Sequence, residues 1–469
     1  MSAVLTLASV QEATNTAAVT RYLEDSVLPG SGWTLLDVRR RYSRLEPPET
    51  YWAMYRIKLG RGEPILPEAD EELDEDAPEP EPVYPEQREI RLVARALFKA
   101  DGWERFATRI QSQYGSAAGD PLDGHGYPVL FPETQHVFWF YPVDPSMPTL
   151  AAAANPSRVL RLFRTLKRGL LDVPARITAV DVKLARYVPE VNGIFDYTIH
   201  TAPQAASKRV FGKVQIGNAG RRTHEVMTAL WDVCRASQGR LVVPRPLSFQ
   251  PELSLFLEEA APGAAVTGDR TAPHFLPATL FAAGAGAAIH ESGVPADQHI
   301  RIEHELERLD GVQDQFAHVH PQAHFLLREL LLHIRAKLSR TPEEEWLPTH
   351  GDLKYDQLLH EDGHFTLIDF DYFSLAETSA DLARYCAYLF PSMPRGWEQS
   401  VAAEEARKAF LDHYRELRPD ATLQRFQVWE AVMLGNRAMT AMWAQQKGWE
   451  RAVEGLLVMA MERLNSRLP

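Results

Sequence analysis

Polar and apolar positions alternate along Val180-Asp181-Val182-Lys183-Leu184-Ala185-Arg186-Tyr187, and the period of two predicts a strand. Pro189 to Gly193 reads as its turn, Phe195 to Ile199 as the returning strand and Arg209 to Gln215 as a third. The period then becomes helical from Arg222 to Ser237, with Val226, Leu230 and Val233 on one face. Two more strands are expected around Pro251-Glu252, at Arg240–Leu247 and Leu253–Glu258. Three strands, a helix and two strands make a small, mostly antiparallel unit over residues 175–262. From 263 to 469 the pattern is helical except for a hairpin around Gly363. Phe426 to Leu464 carries Trp429, Val432, Met439 and Trp443 near one helical face, as a core stripe does.

Residues 1–174 form a separate N-terminal zone. A helix-like start precedes a strand pair, Trp33–Val38 and Tyr51–Ile57, flanking a turn at Pro47-Pro48-Glu49. Glu63 to Glu89 is acidic and proline-rich, with too few apolar residues to offset ordering entropy, so a solvated loop is expected there. Arg41-Tyr42 and Tyr55 around a proline turn echo Arg186-Tyr187 and Tyr197, a hint of internal duplication.

Composition narrows the classes. At 469 residues the chain needs two or three domains. A net charge of −13 argues against nucleic acid or an anionic membrane as the main partner. Two cysteines, Cys234 and Cys386, support neither a disulfide scaffold nor a cysteine zinc site; their apolar helical contexts suit buried thiols. The start of the chain lacks the basic-then-apolar pattern of a signal peptide, and Phe275–Ile289 is too short and alanine-rich for a membrane span. A cytoplasmic location is the expectation.

The chemistry concentrates in Thr349-His350-Gly351-Asp352-Leu353-Lys354-Tyr355-Asp356-Gln357 and Leu367-Ile368-Asp369-Phe370-Asp371. Two β-like runs between them, Leu358-Leu359 and Phe365–Ile368, predict a hairpin that brings Asp352, Gln357 and Asp369 to one end of a small sheet. Phosphoryl transfer needs such a group: one carboxylate to accept the proton of an attacking hydroxyl, and oxygen ligands for Mg²⁺. Lys213 stands mid-strand among apolar residues, where an ammonium wants an anion. His318 and His320 lack a paired carboxylate or cysteine motif, so a surface segment is expected there. No Gly-x-Gly-x-x-Gly and no Gly-x-x-x-x-Gly-Lys is present.

The motif resembles the catalytic and metal-binding loops of the aminoglycoside phosphotransferase family: His-Gly-Asp, four residues, an amide, then an aspartate after apolar positions. The resemblance implies an α+β, protein-kinase-like two-lobed fold, with a small lobe at 175–262 and a helical large lobe at 263–469. It further implies an ATP- and Mg²⁺-dependent phosphotransferase acting on a hydroxyl of a small polar acceptor: a sugar, an amino sugar or an aminoglycoside. Asp352 would be catalytic; Gln357, Asp369 and Asp371 would serve the metal; Lys213 would meet the α- and β-phosphates, held by Glu225 or, failing that, Asp232. Backbone groups of Glu259 and Ala260 would read the adenine edge. His350 would brace the loop, and Asp381 would be an architectural cap. Gln357 departs from the family's usual asparagine, as in maltokinases, which turns the expectation toward sugars; Trp429, Trp443 or Trp449 would stack on the sugar face. Some bacterial sugar kinases of this superfamily carry an N-terminal cap, which residues 1–174 would match. The turn at 189–193 has one glycine and does not match a glycine-rich loop. That gap motivates an alternative, a catalytically idle kinase-like module that binds a nucleotide or a protein.

Overall fold

The computed structural model describes residues 12–46, 50–64, 83–115, 122, 127–171, 175–202, 207–390 and 397–466. The chain divides into two compact units: residues 1–154 with 188–191, and residues 155–187 with 192–469. Sequence placed the boundary at 174. It falls earlier because the helix at 156–170 packs with the second unit, where Phe163 meets Tyr197 edge-on at 5.3 Å. The turn at Pro47-Pro48-Glu49 and most of the acidic run Glu63–Glu89 lie outside the described residues.

The first unit runs α1 (Thr16–Tyr22), β1 (Trp33–Glu46), β2 (Thr50–Arg61), β3 (Glu86–Leu97), α2 (Ala100–Tyr114), β4 (Val129–Phe131) and β5 (His136–Phe140). Its sheet has the order β1-β2-β3-β5-β4, and its pairings are antiparallel. Strand β2 buries Tyr55, Ile57 and Leu59 against Leu92, Phe138 and Phe140, which gives this unit its own core. Arg95 of β3 pairs with Glu190 at 2.6 Å, and the Glu190 N–H donates to Asp144 at 2.9 Å.

The second unit opens with the same succession: α3 (Pro156–Leu170), β6 (Arg176–Val188), β7 (Asn192–Ala202), β8 (Ser207–Gln215), α4 (Ala219–Ala236), β9 (Pro246–Gln250) and β10 (Leu255–Glu259). Its sheet order, β6-β7-β8-β10-β9, repeats that of the first unit strand for strand. In both, a Pro-Glu 3₁₀ turn ending in a left-handed residue, Gln135 or Ser254, joins the last two strands. Arg95 faces Val137 across the β3–β5 ladder as Lys213 faces Phe256 across β8–β10, each partner being the second residue of its strand. The two units share one topology, the structural counterpart of the sequence echo.

Strand β9 begins at Pro246 rather than Arg240, because Pro244 and Pro246 interrupt the earlier stretch and Leu241 and Val243 are buried as irregular chain. A helical body follows: α5 (Phe275–His290), α6 (Ile302–Gly311), α7 (Gln313–Val319), α8 (Pro321–Leu338), α9 (Thr378–Leu389), α10 (Trp397–Leu417), α11 (Phe426–Ala444) and α12 (Trp449–Asn465). The second half of α5 is buried all round, so its small residues Ala282–Ala288 let neighbouring elements approach closely. After β10, the short β11 (Ala264–Ala265) pairs with β13 (Leu358–Glu361), which also pairs with β14 (His364–Leu367); between α8 and α9, β12 (Trp346–Thr349) pairs with β15 (Ser374–Glu377). The architecture is α+β, a five-stranded lobe and a helical lobe, preceded by an additional unit. No described helix is long and apolar enough to cross a membrane.

Trp429, expected at a sugar face, is fully buried on α11 and donates its indole N–H to Glu377 at 2.6 Å. Trp443 reaches Gln315 at 3.3 Å and Trp449 meets His320 edge-on at 5.8 Å; both pack on the core. His320 pairs with Glu454, and no described His, Cys, Asp or Glu residues form a metal-holding group of three. Cys386 is buried, and burial pushes its thiol well above the usual range; Cys234 is half-buried.

A bidentate pair, Arg407 to Glu430 at 2.6 and 2.7 Å, lies in the core between α10 and α11. Removing one partner strands a buried charge, so Arg407→Ala is expected to lose about 3–5 kcal/mol in a urea titration. Arg407→Met with Glu430→Leu, which removes both charges, should recover most of that loss.

Candidate active site

The hairpin β13–β14 turns through Asp362 and Gly363, both with positive φ (48° and 80°), the type I′ geometry that fits the twist of a two-residue hairpin. Its open end brings Gln357 beside Ile368, whose N–H donates to the Gln357 carbonyl at 3.0 Å. Asp369 therefore comes next to the Asp352 loop. The Gln357 amide nitrogen donates to Asp352 and to Asp369, 3.3 Å in each case, so one buried side chain ties the two carboxylates together.

The Asp352 loop is anchored from beneath by Asp381 at the start of α9. Its carboxylate accepts the N–H of His350 at 2.6 Å and of Gly351 at 2.9 Å. Burial would raise this carboxyl, but the approach of His290 and the backbone donors outweighs it and holds Asp381 below its ordinary value. His350 is buried; its ring bonds the Ile368 carbonyl at 3.1 Å and accepts the Asp352 N–H at 3.3 Å, so it braces the loop. Gly351 has φ +78°, and a Cβ there would lie 1.9 Å from the Tyr372 carbonyl oxygen. Asp369 itself adopts a left-handed conformation, φ 71° and ψ 62°, which is uncommon for a non-glycine residue and concentrates at functional sites.

Lys213 closes the cluster from β8. Its ammonium lies 2.6 Å from Asp369 and 2.6 Å from Asp371. Burial alone would lower its pKa, but the two carboxylates reverse this and hold it charged. Burial also opposes ionisation of both aspartates. Lys213 wins at Asp369, which falls to about 2, whereas at Asp371 burial and the neighbouring Asp369 charge win and the carboxyl is raised. Two acids sharing one ammonium in a confined site titrate as a unit.

Lys213, Asp369, Asp371 and Gln357 line one cavity of about 310 Å³, together with Arg186, Phe256, Glu258, Glu259 and Ala261. Its size and mixed lining suit a small ligand. Toward the lobe connection, the Glu259 N–H donates to Arg245 and the Ala260 N–H to Arg209 (2.9 and 3.4 Å). Glu259 and Ala261 line the cavity, while Ala260 lines a neighbouring groove.

Glu225 does not meet Lys213. Helix α4 turns Thr223, Met227 and Leu230 inward, and the i, i+4 spacing of Thr223 and Met227 leaves Glu225 on the exposed side with Asp232. Thr223 instead donates to Asp371 at 3.2 Å. Three cations escaped the sequence reading. Arg186 reaches the cavity from β6 and helps hold Asp369 low. Lys354 and Arg384 approach Asp352 at 3.0 and 3.5 Å. Lys354 carried a signal in its place two residues after Asp352; Arg384 is brought in only by the packing of α9.

The donor set fits a nucleotide with a divalent cation. Asp369 and Asp371 supply hard oxygens, a rotation of the Gln357 amide would add a third, and Lys213 and Arg186 offer charge to phosphates. Residues 219–422 match the model of the phosphotransferase enzyme family, and they contain Asp352, Gln357, Asp369, Asp371 and Asp381. Solved structures similar to the chain include a protein provisionally assigned as an aminoglycoside phosphotransferase from Ralstonia eutropha, at 13% identity and a TM-score of 0.48 over 65% of this chain and 97% of that one. A spectinomycin phosphotransferase in complex with ADP and spectinomycin is 11% identical, with a TM-score of 0.44 over 66% and 98% of the two chains. A choline kinase from Streptococcus pneumoniae is 14% identical, with a TM-score of 0.42 over 66% and 99%. No functionally curated protein matches the chain.

Gly351→Ala tests the anchored loop. It should lower the melting temperature and abolish turnover, because strain adds to a clash with backbone. Gly363→Ala, at φ +80° with open space around its Cβ position, should bear only the backbone strain of about 1–2 kcal/mol and keep activity.

Proposed function

We propose that the protein transfers the terminal phosphoryl group of ATP, with Mg²⁺, to a hydroxyl of a small polar acceptor, most consistently a sugar. The observation that carries this reading is the single Gln357 side chain bridging Asp352 and Asp369 while Lys213 holds Asp369 and Asp371. A base for the acceptor and a charged seat for phosphates thus share one wall.

Asp352 orients the acceptor hydroxyl and takes its proton as the bond to phosphorus forms. Gly351, His350 and Asp381 fix the direction of that carboxylate, and fixed geometry is most of what a loose transition state requires. Lys213 and Arg186 draw charge on the phosphates toward the small-lobe strands. Asp369, Asp371 and Gln357 would hold the cation, which when bound supplies charge neutralisation at the β- and γ-oxygens. The intact charged set disfavours the idle-module alternative.

The acceptor side has its own charge signature. Lys354 and Arg384 both lie within 3.5 Å of Asp352, and the side chains of both are about five-sixths buried. Lys354 also meets the face of Tyr388 at 5.4 Å. A polycationic acceptor would meet two like charges beside the reacting hydroxyl, so these cations favour a neutral or acidic sugar over an amino sugar or aminoglycoside.

Two measurements check the reading. Mg²⁺-dependent ADP release should depend on the acceptor, and Asp352→Asn should lower kcat by about 10²–10⁴-fold while leaving ATP binding intact. Across a panel of neutral sugars, sugar acids, amino sugars and aminoglycosides, kcat/KM should be highest for uncharged or acidic members. A preference for aminoglycosides would overturn the acceptor assignment.

A further inference from the structure

Lys213 has a structural problem. The carboxylates that hold it, Asp369 and Asp371, are the ones the proposed function assigns to the metal. An ammonium that must also meet phosphates needs an anchor that the metal does not claim. Helix α4 offers none, because its inward residues are Thr223, Met227 and Leu230 and its acidic residues Glu225 and Asp232 face outward.

Strand β10 does offer one. Register pairs Lys213 with Phe256 and Phe211 with Glu258, so Lys213 and Glu258 project from the same face of the β8–β10 ladder as diagonal neighbours. Long side chains at diagonal positions are within reach of each other. Both residues line the 310 Å³ cavity, as does the buried Phe256 opposite Lys213. Burial pushes the Glu258 carboxyl up to about 7; the Lys213 charge opposes that rise, and Asp371 and Asp369 add to it. Glu258 therefore shares one cavity with Lys213, Asp369 and Asp371.

We propose that Glu258 is the positioning residue for Lys213, taking on a strand the place that an inward carboxylate on α4 would otherwise fill. In the nucleotide-bound enzyme it holds the ammonium over the α- and β-phosphates. The inference rests on the nucleotide reading of the cavity.

The test is calorimetric titration of Mg·ATP into the full-length wild type, Glu258→Gln, Glu258→Asp, Lys213→Met and the Lys213→Met/Glu258→Gln double variant, each with a melting temperature. Glu258→Gln should weaken Mg·ATP binding on the order of tenfold. Its melting temperature should hold or rise, because the substitution removes a carboxyl that burial disfavours when charged. Glu258→Asp, which keeps the charge on a shorter arm, should recover part of the affinity. The double variant should bind no worse than Lys213→Met alone, since a positioning residue has nothing left to position. Additive losses, a lowered melting temperature in Glu258→Gln, or unchanged affinity would each overturn the assignment. If the wild type bound no Mg·ATP, the nucleotide reading itself would fail, a result distinct from the others.

Discussion

The site depends on one ammonium shared by two carboxylates. Lys213 comes from the middle of a strand and Asp369 and Asp371 from the end of a hairpin more than a hundred and fifty residues later, and at 2.6 Å each they tie the sheet lobe to the helical lobe. Three formal charges in a partly buried space leave a net negative site, which on its own is unfavourable. Asp369 also holds a left-handed backbone there. Such a concentration of charge and strain is retained where a ligand completes it, and a divalent cation with an anionic nucleotide has the complementary charges. Arg186 adds a further positive charge to the cavity.

The second constraint is the buried floor beneath Asp352. Asp381, His290, His350 and Gly351 form a chain of polar contacts in which each group is sequestered from water, so the loop has few alternative arrangements. A parallel network sits one layer away. Glu377 accepts from Trp429, Arg425 and the Glu344 N–H, and Glu344 in turn accepts from Ser379, which secures β12, β15 and the start of α9 as one block. The functional carboxylates thus stand on a polar but fully engaged foundation, while apolar packing of α5, α10 and α11 surrounds it.

Much of this was legible because its determinants are local. Alternation announces β6, β7 and β8, the Asp362-Gly363 pair announces the hairpin, and Asp352, Gln357 and Asp369 lie within eighteen residues of one another. What escaped is set by register and packing. The inward face of α4 includes a threonine, so an apolar stripe alone left the helix phase open enough to favour Glu225. Glu258 becomes a neighbour of Lys213 only through the β8–β10 pairing, which no short-range pattern specifies. The spacing of Trp429 suits either a core or a ligand face; the bond of its indole N–H to Glu377, fifty-two residues away, decides for the core. The first unit was hardest to read: the acidic run precedes β3, and the likeness of the two sheets resides in strand order and a few matched positions such as the Pro-Glu turns.

The central claim, that Asp369 and Lys213 form a metal–nucleotide seat, is tested most directly by calorimetric titration of ATP with and without Mg²⁺ into wild type and Asp369→Asn. The account predicts binding that requires Mg²⁺ in the wild type and is lost in Asp369→Asn with the fold retained. Binding that ignores both the cation and the substitution, or no binding at all, would contradict it.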